Sequence, residues 1–156
     1  MIMTVKPIPD GYATVTPYLT VHDAAGAIAF YQQAFGATEL MRLADPSGKL
    51  AHAEIKIGNS LIMLSDEFPE MGGRSAQELG GTPVSLMLYV EDVDTLFRQA
   101  IATGATEIRP VENQFYGDRA GTLSDPYGHV WTIASHVEDV SMEEVNARFS
   151  AMVGAG

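Results

Sequence analysis

Two ionisable side chains two residues apart, His52 and Glu54, form the pair best suited to chemistry in this sequence. They lie in a segment of alternating apolar and polar residues, and residues i and i+2 of a β-strand share one face. A histidine and a carboxylate on one face can exchange protons with a bound molecule or supply two ligands to a divalent metal ion. Two ligands are too few for a metal site, and Tyr18 or His136 could supply a further one. The alternative is a polar pair at a rim, with Lys56 in a weak surface ion pair.

The guanidinium of Arg119 is a second group that could contact a ligand. It follows Tyr116-Gly117-Asp118 in the sequence, and arginine can bind a carboxylate through two parallel hydrogen bonds. A structural ion pair that pins this loop explains the same residues equally well. The sequence therefore leaves both ligand binding and loop structure open for Arg119.

The composition excludes several classes of protein. The chain has 156 residues and a formal net charge of −11, which argues against nucleic acid and anionic membrane surfaces as partners. It has no cysteine, so disulfides, thiol nucleophiles and Cys-based metal sites are absent. No apolar run approaches the roughly 20 residues of a membrane span, and the first residues lack a signal-peptide pattern. We therefore expect a cytoplasmic protein.

The elements that position these residues occur in two copies. Gly36-Ala37-Thr38-Glu39-Leu40 recurs as Gly104-Ala105-Thr106-Glu107-Ile108, at an offset of 68 residues, and Val21-His22-Asp23 matches Val90-Glu91-Asp92, at an offset of 69. In both copies an apolar strand precedes these landmarks and a helix separates them. Two matches at nearly one offset predict a duplicated module.

Each copy has the pattern of a βαβββ module. In the first, Asp23 is placed to cap a helix that ends at Gly36, and the turn Gly58-Asn59 joins the last two strands. In the last segment Ser141 is placed to cap a short helix. We expect one module at residues 9–65, a flexible linker at residues 66–81 that could equally be a lid, a second module at residues 82–137, and a C-terminal helix and tail at residues 138–156.

Several motifs resemble a known family. Phe35-Gly36-Ala37 and Asp125-Pro126-Tyr127-Gly128-His129-Val130-Trp131 resemble the vicinal oxygen chelate superfamily of glyoxalases, bleomycin-resistance proteins and dioxygenases. Gln114-Phe115-Tyr116-Gly117-Asp118-Arg119 and Ile8-Pro9-Asp10-Gly11-Tyr12 are similar to its PhnB-like branch. The resemblance implies an α+β fold in which two βαβββ modules stand in tandem, with mixed sheets that curl around a cavity and helices outside. It also implies a homodimer.

Strand alternation then divides the side chains between a helix-facing core and the cavity. The Gly58-Asn59 turn pairs Ile57 with Ser60, and therefore Glu54 with Met63. The same alternation assigns Val15 and Val84 to the core. The residues expected to contact a ligand are Thr16, Tyr18, Met63, Ser85, Met87, Tyr89, Arg119 and Thr132.

Metal-dependent members of the superfamily take one ligand from each of four cavity strands, drawn from His, Gln and Glu. The resemblance places these positions at Thr16, Met63, Ser85 and Thr132. Hydroxyl and thioether groups are poor ligands for a catalytic divalent ion. We therefore expect no metal and no other cofactor.

The expected cavity mixes tyrosine, methionine and small hydroxyl residues, which is typical of a pocket for a small apolar molecule. We expect a metal-free protein that binds a small hydrophobic or aromatic molecule, with drug sequestration as one version. The alternative is a lyase, isomerase or dioxygenase that uses a displaced metal site or His52 and Glu54 as acid and base. A third alternative is a regulatory or scaffold protein with a vestigial cavity.

Overall fold

The computed structural model describes residues 4–154, which form two compact units that divide after Gly81. Each unit contains one four-stranded mixed sheet, and the described chain has four α-helices in all. The sheet orders are β1-β4-β3-β2 and β5-β8-β7-β6, so the topology of the first unit is repeated in the second. This confirms the prediction of an α+β protein with two βαβββ modules in tandem.

The first module begins with a short strand and ends in a segment with little regular structure. Its elements are β1 (Tyr18–Val21), α1 (Ala24–Phe35), β2 (Thr38–Ala44), β3 (Leu50–Ile57), β4 (Ser60–Asp66), a 3-10 helix (Pro69–Met71) and α2 (Ala76–Leu79). β1 runs parallel to β4, whereas the other neighbouring strands are antiparallel.

The second module has the same order and is followed by a helix. Its elements are β5 (Ser85–Tyr89), α3 (Val93–Thr103), β6 (Thr106–Asn113), β7 (Asp118–Ser124), β8 (Val130–His136) and the final α4 (Met142–Gly154). β5 runs parallel to β8, and β6, β7 and β8 pair antiparallel. No helix in residues 4–154 is long and apolar enough to cross a membrane.

Both main helices begin and end where the sequence places the signals. The carboxylate of Asp23 accepts a hydrogen bond from the Gly26 amide at the start of α1, and Asp92 does the same for Thr95 in α3. Gly36 ends α1 at φ 70°, a left-handed conformation that glycine adopts without steric cost. Ser141 caps α4 by accepting a hydrogen bond from the Glu144 amide.

The core of each module lies between the sheet and its helix. In the first module the predicted alternating set of β3 and β4 is buried: Ala53, Ile55, Ile57, Ile62 and Leu64. Leu50, at the start of β3, is buried as well. The pairs Ile57–Ser60 and Glu54–Met63 also occur as the hairpin turn predicted. In the second module Trp131 and Ile133 are buried, as predicted. The polar residues at alternate positions of β3 therefore lie on the outer face of the sheet, away from the helix.

Two strand beginnings differ from the prediction. The assignment of Val15 to the core requires a first strand that includes this residue, but β1 starts at Tyr18, because Pro17 has no N–H for a sheet ladder. Val15 lies before it and is 82% exposed, so its assignment to the core is wrong. Val84 also lies before its strand, β5, and is 66% exposed, so its assignment to the core is wrong as well.

The segment between the two sheets carries local structure. Phe68 and Gly73 form an isolated antiparallel bridge around the 3-10 helix. Ser75 is fully buried, caps α2 through its hydroxyl, and its amide donates a hydrogen bond to the carboxylate of Glu67. The carboxylate of Asp66 accepts hydrogen bonds from the amides of Ala24 and Leu50, which tie the start of this segment to the first module.

Candidate functional site

A row of directly paired residues crosses the outer face of the first sheet. Met41 on β2 pairs with Glu54 on β3, Glu54 pairs with Met63 on β4, and Met63 pairs with Tyr18 on β1. Directly paired residues project to the same side of a sheet. The pairing therefore brings together three of the sequence-predicted candidates, Tyr18, Glu54 and Met63.

His52 links two of these side chains by hydrogen bonds. The Tyr18 hydroxyl lies 2.8 Å from His52 Nδ1, and His52 Nε2 lies 2.8 Å from Glu54 Oε2. The side chains of His52 and Glu54 are 24% and 14% exposed, so both are largely shielded yet reachable. A neutral imidazole protonated on Nε2 satisfies both contacts, because Nε2–H then donates to the carboxylate and Nδ1 accepts from the phenol.

A cleft of about 540 Å³ lies against Glu54 and Met63. Its remaining lining comes from the chain before β1, namely Pro7, Ile8, Pro9, Tyr12, Ala13, Thr14 and Thr16. Most side chains that line the cleft are apolar, and Glu54 supplies the carboxylate. A pocket of this size with a few polar groups is the usual form of a small-molecule site.

The chemistry of this cleft follows from Glu54. A carboxylate accepts hydrogen bonds and attracts positive charge, and it can also accept a proton from a bound molecule. His52 uses one nitrogen to orient the carboxylate and the other to contact Tyr18. The three side chains therefore form a continuous hydrogen-bonded chain along which a proton can move.

The remaining candidates of the second module lie on the outer face of its own sheet. Thr132 pairs with Met87 on β5 and with Thr122 on β7, and its hydroxyl is 3.1 Å from that of Thr122. Ser85, Met87 and Tyr89 are exposed on β5. Thr132 lines a smaller, separate cleft of about 140 Å³ within the second module.

Tyr89 belongs to a second hydrogen-bonded cluster. Its hydroxyl donates to Asp118 Oδ2 at 2.7 Å, and Asp118 Oδ1 lies 2.9 Å from His136 Nδ1. His136 Nε2 is 2.7 Å from the carboxylate of Asp139. The hydrogen bonds that His136 makes to the carboxylates of Asp118 and Asp139 raise its pKa above the usual value, and the hydrogen bond to Asp118 raises the pKa of Tyr89.

Arg119 is not brought together with the outer-face candidates. Its guanidinium makes two hydrogen bonds to the carboxylate of Asp94 in α3, at 2.8 and 2.9 Å. Its sheet partner Ser135 accepts a hydrogen bond from the Val93 amide at the start of the same helix. Arg119 thus faces the helix side of β7, where it forms the structural ion pair that the sequence left open, with Asp94 as the partner.

The positions that hold metal in other members do not fit a metal here. Thr16 and Met63 line the cleft of the first module, Ser85 is exposed, and Thr132 is engaged with Thr122. These groups offer neutral hydroxyls and a thioether, which are poor partners for a catalytic divalent ion. In residues 4–154 no group of three or more His, Asp or Glu side chains is arranged to hold a metal ion.

Sequence reasoning missed the residues before β1 and several in the second module. Pro7, Ile8 and Tyr12 line the first cleft, although nothing local in the sequence predicts where this segment packs. Arg109 and Gln114 line the second cleft. The alternation that places Thr132 outward could have found Arg109, because Arg109 pairs with Thr122 and Thr122 pairs with Thr132.

Comparison with known proteins finds relatives that match most of the chain. An uncharacterized protein of Mycobacterium bovis is 46% identical over 140 residues, which are 88% of this chain and 92% of that protein. The structure of the PhnB protein from Bacillus cereus is similar with a TM-score of 0.62 at 19% identity, covering 79% of this chain and 99% of that one. The fosfomycin resistance protein FosX of Listeria monocytogenes is similar with a TM-score of 0.60 at 18% identity, covering 85% and 97%.

A family model also matches across both modules. The model describes the Glyoxalase/Bleomycin resistance protein/Dioxygenase superfamily and matches residues 11–133. The two sheets of identical strand order agree with it. The chain belongs to the glyoxalase/bleomycin resistance protein/dioxygenase superfamily.

Proposed function

We propose that this protein binds a small, largely apolar molecule in the cleft of the first module, without a metal ion. The observation that carries the proposal is the cleft of about 540 Å³, in which an apolar lining surrounds the carboxylate of Glu54. Apolar contact area supplies most of the affinity in such pockets, and a few polar groups set the orientation of the ligand.

The position of Glu54 narrows the class of ligand. Its carboxylate is largely shielded and already accepts one hydrogen bond from His52, so a ligand that adds a second donor would be held in a fixed orientation. An aromatic molecule with an amine or hydroxyl group meets this requirement. Its ring would pack against Met63 and Tyr12, and each such contact is worth on the order of 1 kcal/mol.

The hydrogen-bonded chain from Tyr18 through His52 to Glu54 favours a second candidate function. If a bound molecule presents an acidic C–H or O–H to Glu54, the carboxylate accepts the proton and His52 stabilises the change of charge. That chemistry is typical of an isomerase or lyase. Turnover of a ligand that is lost in Glu54→Gln, while binding persists, would favour this function over simple binding.

Within the superfamily we propose the PhnB-like branch. Support comes from the segments Gln114 to Arg119 and Ile8 to Tyr12, the second of which lines the cleft in part. Sequestration of a drug is one version of the binding function. The name of the related FosX, a fosfomycin resistance protein, supports that version by analogy of fold alone.

The test is a ligand-observed NMR screen of small aromatic amines, with matched aromatic acids and neutral aromatics. We expect amines to bind preferentially, because Glu54 repels acids. Met63→Lys should abolish binding by filling the cleft with a charged chain, and Glu54→Gln should weaken amines by about tenfold. Met142→Lys is the matched control, since Met142 is exposed on α4. Equal binding by the two lysine variants would overturn the proposal.

A further inference from the structure

The second module has its own polar cleft, distinct in chemistry from the first. It measures about 140 Å³, and its side chains include Arg109, Gln114, Tyr116, Thr122 and Thr132. Apart from the guanidinium these are uncharged hydrogen-bonding groups. Such a lining favours a small polar group over an apolar ligand.

Arg109 is positioned by the sheet. It pairs with Thr122, which pairs with Thr132, so the three side chains form a row on the outer face. The regular pairing of β6 with β7 shifts between Glu107 and Arg109 and again between Arg109 and Glu112. The first module has two shifts at matching positions, between Glu39 and Met41 and between Leu43 and Ala44, so the irregular edge strand is common to both modules. Such irregularities redirect side chains and occur often beside functional sites.

The charge of Arg109 is not neutralised by the protein. Within residues 4–154 its guanidinium makes no ion pair or hydrogen bond with another residue, although the whole chain has an excess of 11 negative charges. Asp118 is a carboxylate close enough to act electrostatically on Tyr116, but its two oxygens are hydrogen-bonded to Tyr89 and His136 and not to Arg109. The guanidinium is therefore available to an anion from outside.

The neighbouring groups offer hydrogen-bond donors. The hydroxyls of Thr122 and Thr132 are 3.1 Å apart, and one donates to the other, so one of the two protons stays available. The phenol of Tyr116 is a further donor, and burial and the nearby Asp118 raise its pKa above the usual value. A guanidinium with two kinds of hydroxyl donor is a suitable partner for an oxyanion, whose oxygens accept several hydrogen bonds at once.

We propose that this cleft of the second module binds a small oxyanion, the phosphate or carboxylate group of a ligand, through Arg109 with Thr122, Thr132 and Tyr116. The equivalent row of the first module consists of Met41, Glu54, Met63 and Tyr18. Its charged residue is the anionic Glu54, whereas the charged residue of the second row is the cationic Arg109. The duplicated modules thus differ in charge at matched positions. This site is independent of the apolar cleft proposed above.

The test is an NMR titration of the ¹⁵N-labelled protein with inorganic phosphate and, separately, with acetate, in Tris chloride at constant ionic strength. We expect saturable shifts at the Arg109 side chain and along β6 and β7. Arg109→Gln should weaken binding at least tenfold and Thr122→Val about threefold. Arg98→Gln, which removes the same charge from the exposed side of α3, should change the affinity less than twofold.

Tighter binding of phosphate would assign a phosphate-bearing ligand, and tighter binding of acetate would assign a carboxylate. Equal affinity in Arg109→Gln and Arg98→Gln would overturn the proposal, as would identical shifts with sodium chloride alone. Binding of aromatic amines in the first module should be unchanged in Arg109→Gln. Failure of either site can therefore be distinguished from failure of the other.

Discussion

Two adjacent residues of β4 test the face assignment on which the site depends. Leu64 is fully buried on the helix side, whereas Met63 lines the cleft on the outer side. Leu64→Ala removes three carbon atoms, which at about 0.8 kcal/mol each gives about 2.4 kcal/mol before the cost of the cavity is added. The total loss in free energy of unfolding should lie within about 2–5 kcal/mol. Met63→Ala removes a half-buried side chain and should cost less than about 1.5 kcal/mol.

The assay is thermal unfolding followed by circular dichroism at one protein concentration, with ligand affinity measured on the same samples. At roughly 2–4 °C per kcal/mol for a chain of this size, Leu64→Ala should lower Tm by roughly 4–20 °C. Met63→Ala should lower it by less than about 6 °C but weaken binding of a cleft ligand. If Met63→Ala unfolded the protein while Leu64→Ala were harmless, the register would be wrong by one residue and the two faces would exchange.

Three further predictions concern charge, metal and assembly. His136→Gln should destabilise the protein at pH 6 and much less at pH 9. The pKa of His136 is raised in the folded protein, so its protonated form stabilises the fold at low pH, and this stabilisation is lost as the pH rises through the folded-state pKa. A difference in Tm between variant and wild type that does not change with pH would contradict this prediction. Purified protein without a His-tag should contain no stoichiometric Zn, Ni, Mn or Fe by elemental analysis. A value near one metal per chain that is lost in His52 or Glu54 variants would favour the metalloenzyme. Sedimentation should give a homodimer, because the outer face of the second sheet exposes apolar side chains such as Met87 and Tyr89, which a second copy of the chain would cover. A species of 16.8 kDa at micromolar concentration would refute this prediction.

Much of the fold could be predicted because the information is local and occurs twice. The caps at Asp23 and Asp92 depend on a side chain and an amide three residues on. The Gly58-Asn59 turn fixes the β3–β4 register, and the alternation then separates core from outer face. The duplication supplies a second reading of the helix caps and of the strand alternation.

The first cleft could be predicted only in part. Alternation placed Glu54 and Met63 on the outer face, but the residues that close the cleft from the other side come before β1. Their position depends on packing against distant strands, and a segment with three prolines among residues 7–17 has no periodic pattern to indicate it. The exposed Val15 is a consequence of the same irregular segment.

Arginine was the residue type for which sequence reasoning was least complete. Arg119 attracted attention through its neighbours in sequence, yet its partner Asp94 is 25 residues away on a helix. Arg109 precedes Pro110, a residue that is typical of a strand end, but β6 continues through this proline to Asn113 as an edge strand. An edge strand tolerates proline since one row of its backbone groups faces solvent.

The most direct test of the binding proposal is a co-crystal structure with an aromatic amine selected in the screen. We predict that the molecule lies between residues 7–16 and the pair Glu54 and Met63, with its donor group about 2.7–3.2 Å from the Glu54 carboxylate. A molecule that occupies another part of the protein at full occupancy, while this cleft holds only solvent, would contradict the proposal.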